Sequence, residues 1–184
     1  MKMKLLCLGD SLTQGYEIPE NLRWTDLLSK ELGIEVINCG ISGDTTAGML
    51  SRCMGALIEH EPTHLIVLGG TNDLWFGLND EQILANIHAI YRQAKYHNVE
   101  CIIAIPPPVI QLNELNLVHE NYSECIRSFQ SALMQYAKDD ECPYIKFSKE
   151  LKSDHYLEDG VHINEKGQVI MMKKIAEKLV SDFS

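Results

Sequence analysis

Short apolar runs alternate with segments whose apolar residues recur every three or four positions. Five runs have the length of buried strands rather than helices: Lys4-Leu5-Leu6-Cys7-Leu8, Glu35-Val36-Ile37-Asn38, His64-Leu65-Ile66-Val67-Leu68, Cys101-Ile102-Ile103-Ala104-Ile105 and the short Tyr144-Ile145-Lys146-Phe147. The segments between them read as amphipathic helices. The first covers roughly Asn21 to Leu32, with Trp24, Leu27, Leu28 and Leu32 on one face. Thr45 or Thr46 caps the next, which is expected to bury Leu50, Met54 and Leu57. Asn79-Asp80-Glu81-Gln82 has the form of a capping box and opens a helix lined by Ile83, Leu84, Ile87, Ile90 and Ala94. Pro106-Pro107-Pro108 stops the fourth strand, and a loop follows to about His119. Tyr122, Cys125, Ile126, Phe129, Leu133 and Tyr136 then mark another helix. The last begins near Asn164 and is expected to turn Val169, Ile170, Ile175 and Leu179 inward.

Five strands separated by helices imply right-handed crossovers and a parallel sheet covered on both faces, a three-layer α/β/α sandwich. No repeat, linker or low-complexity stretch interrupts the pattern, so residues 1–184 read as one domain with room for a substantial core.

Composition narrows the function classes. The formal net charge of −10 argues against nucleic acid and anionic membrane surfaces as partners. No stretch approaches the ~20 apolar residues of a membrane span, so stable membrane insertion is not expected. The apolar run after the basic Met-Lys-Met-Lys start is too short for a signal-peptide core. Cytoplasm is the expected compartment, unless a leader was removed upstream. The six cysteines form no C-x-x-C pair and read as reduced, packed thiols.

Candidate chemistry gathers where strands end, the edge at which open α/β sheets bind ligands. Gly9-Asp10-Ser11-Leu12 stops the first strand abruptly, and Ser11 is expected on a loop there. A serine at that position is a nucleophile only with a base to take its proton. Asp159-Gly160-Val161-His162 supplies an acid and a histidine three residues apart, the spacing at which a carboxylate orients one imidazole nitrogen while the other reaches the serine. Gly43, after the second strand, can turn a backbone N–H outward, and Asn72, after the third, offers a side-chain amide. With the Ser11 N–H they can converge on an oxyanion. Each piece has a plainer reading. Gly-Asp-Ser is a common turn, Asn72-Asp73 can cap a helix, Gly43 can serve backbone geometry, and Asp159 and His162 can be surface residues. His155 is a rival base without an acid at comparable spacing. Asp10 can hold the Ser11 backbone or act as a metal- or phosphate-handling acid. No P-loop, G-x-G-x-x-G or G-x-S-x-G elbow is present, and Asp159 with His162 lacks further metal ligands. No metal or cofactor is expected.

The four blocks together resemble the SGNH or GDSL hydrolases. The name letters of that family fall on Ser11, Gly43, Asn72 and His162, in Gly9-Asp10-Ser11-Leu12, Ile41-Ser42-Gly43-Asp44-Thr45, Gly70-Thr71-Asn72-Asp73 and Asp159-Gly160-Val161-His162. The likeness runs from the first strand to the last helix. It implies a flavodoxin-like sheet of order 2-1-3-4-5 and an esterase, thioesterase or lysophospholipase type of activity on a small-molecule ester. Leu74, Trp75 and Phe76 after Asn72, with Pro107 and Val109 after strand four and Asp10 beside Ser11, flank the expected site. They can form an apolar acyl or aryl pocket; packing against the next helix is the equal alternative for Trp75 and Phe76. A carbohydrate O-acetyl esterase is the competing activity. A non-catalytic or flavin-binding module on the same fold is the competing class.

Overall fold

A computed structural model describes residues 3–110 and 113–183. Strands β1 (Lys4–Gly9), β2 (Glu35–Gly40), β3 (His64–Leu68), β4 (Glu100–Ile105) and β5 (Tyr144–Lys146) form one parallel sheet in the order β2-β1-β3-β4-β5. This is the flavodoxin-like order that the family resemblance implies. The interior strands are apolar on both sides because helices cover both faces. Leu6, Leu8, Leu65, Val67 and Ile103 point into one core, packed by α3 (Thr46–His60), α5 (Asp80–Tyr96) and α6 (Tyr122–Asp139). Leu5, Cys7, Ile66, Leu68 and Ile102 point into the other, packed by α2 (Trp24–Leu32) and α7 (Glu165–Phe183). Among the described residues no helix is long and apolar enough to cross a membrane.

The expected caps are present. Thr45 accepts from the Gly48 N–H at the start of α3, and Asn79 with Gln82 forms the capping box of α5. Two helix faces and one helix start differ from expectation. In α3 the buried apolar positions are Met49, Cys53 and Leu57, while Leu50 and Met54 are half-buried. The last helix turns Met171, Met172, Ile175 and Leu179 inward and leaves Val169 exposed. Met171, Ile175 and Leu179 lie four apart along one stripe, and Val169 falls on the opposite side. The first amphipathic helix starts at Trp24, after a 3₁₀ turn over Glu20–Leu22.

Ser11 is not on a loop. It is the first residue of a one-turn helix, α1 (Ser11–Gln14), whose N-cap is Asp10. This helix lies directly over the strand ends because two facing positions lack side chains. Gly9 and Gly40 are partners across β1 and β2. A Cβ on Gly9 would run into the Thr13 side chain, and one on Gly40 into the Gln14 backbone. A second short helix, α4 (Thr71–Trp75), follows β3 in the same way. Four or five residues are too few to show a helical period, so neither was visible in the apolar pattern.

Candidate active site

The four blocks meet at the carboxyl edge of the sheet. At the head of α1, the Asp10 carboxylate accepts the Leu12 N–H at 2.9 Å. The Ser11 N–H is one of the first-turn groups that helix geometry leaves without an intrahelical acceptor. His162 Nε2 lies 2.9 Å from Ser11 Oγ, across 151 residues of chain. His162 Nδ1 lies 2.5 Å from Asp159 Oδ2. The other Asp159 oxygen accepts the backbone N–H groups of Val161 and His162, each at 2.9 Å. Serine, imidazole and carboxylate thus form one hydrogen-bonded line. The rival His155 is engaged elsewhere, its Nδ1 accepting the Lys152 N–H and its Nε2 3.6 Å from Asp154.

Tyr16 completes the imidazole's surroundings. Its ring lies 4.3 Å from that of His162, tilted by 32°, and its N–H donates to the Ser11 carbonyl. The sequence reading passed over it. Its signal was its place just after the turn of chain that carries Ser11.

Asn72 sits inside α4, whose N-cap is Gly70, so it does not cap that helix. Its amide Nδ2 donates to the Asp44 carbonyl at 2.9 Å. One of two amide hydrogens is thereby used to fix the side chain, and the other remains to donate. Gly43 precedes Asp44 on the exposed β2–α3 loop with φ +80°, a left-handed value that glycine adopts without strain.

Charge in the site follows from burial and bonding. Burial pushes the Asp159 carboxyl up, but the bonds from the His162 ring and from two backbone N–H groups outweigh it and leave it below the ordinary carboxylate value. Asp10 goes the other way. Complete burial, with Asp73 and Asp44 nearby, pushes it up to about 7 against the lowering effect of the Leu12 N–H. Burial also raises Asp73, against bonds from the Thr46 hydroxyl and N–H.

A cavity of about 220 Å³ opens beside Ser11, lined by Thr71, Asn72, Trp75, Glu114, Tyr122, Val161 and His162. Larger grooves, up to about 560 Å³, run along α7 and the β5 end, lined by lysines and glutamates and away from Ser11. Converging reactive groups, not size, select the small one. Of the expected pocket residues only Trp75 lines it, its ring edge-on to Tyr122 at 5.2 Å. Leu74, Pro107 and Val109 are buried away from the lining, and Asp10 lies beneath the serine with no exposed surface. Phe76 is about half exposed and outside the lining. The single turn of α4 explains the split, because Leu74, Trp75 and Phe76 leave it about 100° apart. Thr71, Glu114, Tyr122 and Val161 were missed. Tyr122 heads α6, and helices that follow parallel strands start at this edge. That position was its signal, masked by its place in an apolar face.

Comparison with known proteins identifies the family. Residues 7–170 match the GDSL-like Lipase/Acylhydrolase family. Over 180 residues the chain is 29% identical to "Thioesterase 1/protease 1/lysophospholipase L1" of Escherichia coli (strain K12), covering 95% of this chain and 82% of that one. It is 28% identical over 185 residues to an arylesterase of Vibrio mimicus, covering 96% and 88%. The solved structure of the M. smegmatis aryl esterase matches in fold with a TM-score of 0.85 at 22% identity, over 97% of this chain and 99% of that one. The alternative of a non-catalytic or flavin-binding module is set aside by these matches. The chain belongs to the GDSL-like lipase/acylhydrolase family and is a carboxylic ester hydrolase.

Proposed function

We propose that the protein cleaves short acyl or aryl esters and thioesters through an acyl-enzyme on Ser11. The observation that carries this reading is the unbroken line from Ser11 Oγ through His162 to Asp159. His162 Nε2 takes the Ser11 proton as Oγ attacks the carbonyl carbon, and Asp159 stabilises the imidazolium that forms. The Ser11 and Gly43 N–H groups and the Asn72 amide hold the oxyanion. Collapse of that intermediate breaks the ester bond, and the leaving alcohol or thiol takes the proton from His162. Water, deprotonated by the same imidazole, then attacks the acyl-Ser11 carbonyl and releases the acid.

The cavity beside Ser11, about 220 Å³ and walled by Trp75, Tyr122 and Val161, supports a small acyl group. A series of p-nitrophenyl esters of increasing acyl length, run beside acetylated sugars, tests this. The expected result is a kcat/KM that peaks at short acyl chains and exceeds that for acetylated sugars. A peak on the sugars would favour the carbohydrate O-acetyl esterase instead.

A further inference from the structure

We propose that Arg52, on α3 and outside the cavity lining, is a positioning residue that holds the oxyanion site together. This rests on the serine mechanism above and adds a residue to it. The guanidinium makes four bonds to three separate segments. Nε and Nη2 reach Asp44 Oδ2 at 2.9 and 2.8 Å. Nη1 donates to the Cys39 carbonyl at 2.7 Å, and Nη2 to the Gly9 carbonyl at 2.9 Å. Gly9 ends β1 two residues before Ser11. Cys39 lies at the end of β2, four residues before Gly43. Asp44 follows Gly43, and its carbonyl is the acceptor that fixes Asn72.

One side chain is therefore tied to the chain segments carrying all three donors assigned to the oxyanion. The acceptors suit a planar fork with several fixed N–H directions, which a lysine ammonium does not reproduce. The Arg52 and Asp44 side chains are only 24% and 13% exposed, so solvent weakens the pair less than at an open surface. Gly48 supports the arrangement. A Cβ there would collide with Asp44 Oδ1, so the bare helix position lets the carboxylate lie where Arg52 reaches it.

A plain structural ion pair and a positioning residue predict different kinetics. Displaced oxyanion donors act in the transition state, so kcat should fall while KM stays nearly constant. The test measures kcat, KM and melting temperature for wild type, Arg52→Lys, Arg52→Ala, Gly48→Ala and Ser11→Ala on one p-nitrophenyl ester. Arg52→Ala is expected to lose on the order of 10² in kcat, as for a misplacement of about 1 Å. Arg52→Lys and Gly48→Ala should lose less, each with KM within about twofold of wild type and the protein still folded at the assay temperature. Arg52→Lys and Gly48→Ala keep the test decisive where Arg52→Ala does not fold. An inactive Ser11→Ala beside folded Arg52→Lys and Gly48→Ala variants of unchanged kcat would overturn the role of Arg52 alone. A fully active Ser11→Ala would overturn the serine mechanism on which it rests.

Discussion

The Asp159–His162 turn and the wall of the cavity beside it are built in opposite ways. The turn is local. Asp159 receives the N–H of Val161, the N–H of His162 and the His162 ring, all within three residues. Apart from Val161, which the turn supplies, the wall is assembled from afar. Thr71 and Trp75 come from α4, Tyr122 from α6, and Glu114 from the loop between β4 and α6. The Tyr122 hydroxyl bonds the Thr71 carbonyl across 51 residues. The Asp159–His162 pairing is set within the turn, which has an outside tie from the Ile110 N–H to the Gly160 carbonyl at 2.9 Å, whereas most of the wall exists only once β3, β4 and their helices have packed. The acid–base pair and most of the wall therefore rest on separate structural elements, with Val161 on the turn as their one shared residue, and rate and acyl preference are expected to respond separately to mutation.

The largest effect should come from the turn. His162→Ala is expected to lose on the order of 10⁶ in kcat, and Asp159→Asn about 10⁴, because the imidazole then lacks its orienting acceptor. Both should keep a melting temperature close to wild type if the turn is as independent as its bonding indicates. A large drop in melting temperature, measured on the same preparations, would break the comparison.

Asn72 stands between the two regions, on the wall and proposed as a donor to the oxyanion. Asn72→Ala is expected to lose 10² to 10³ in kcat, roughly 2.7–4 kcal/mol of barrier, with little change in KM. The lost bond to the Asp44 carbonyl should lower stability by only about 1 kcal/mol. Near-normal kcat with a clearly lowered melting temperature would return Asn72 to a structural role.

The wall itself should set preference rather than rate. Trp75→Ala enlarges the cavity and is expected to raise kcat/KM for longer acyl esters relative to acetate by about tenfold, the scale of one or two methylenes. An unchanged acyl-length profile would remove Trp75 from the substrate contact.

The last expected effect lies beneath the serine and concerns stability rather than turnover. The Asp10 carboxyl is held at about 7 in the folded protein by burial, against about 4 when unfolded. Below about pH 4 both states carry its proton, and Asp10 adds no pH dependence. Between about 4 and 7 the native state binds that proton and the unfolded chain does not, so stability falls as pH rises. Above about 7 the loss is complete. Asp10→Asn keeps an acceptor for the Leu12 N–H and removes the titration. Its melting temperature relative to wild type should rise steadily from about pH 5 to about pH 8. A difference that stays constant over that range would show that Asp10 does not titrate there.

What was legible in the sequence follows the same division. The five strands are apolar runs between turn residues, their parallel direction follows from the helices between them, and their order was implied by the family resemblance. Ser11, Gly43, Asn72, Asp159 and His162 each sit in a contiguous block just past a strand end or on a turn, so short-range pattern reached them. Leu74, Phe76, Pro107 and Val109 were misplaced because side-chain direction on α4 and after β4 depends on an angle that apolar content does not record. Tyr16 and Tyr122 enter through tertiary packing. Arg52 was invisible because two of its four bonds run to backbone carbonyls on β1 and β2, which any residue would supply, and the other two to Asp44 eight residues away.

The central claim is that Ser11 is the nucleophile, and covalent labelling addresses it most directly. Wild type, Ser11→Ala and His162→Ala would be treated with a serine-directed phosphonate and the adduct mapped by peptide mass. The account predicts a single adduct on Ser11 in wild type, much slower labelling in His162→Ala, and none in Ser11→Ala, which should also have lost ester turnover. An adduct on another residue, or full turnover by Ser11→Ala, would contradict it.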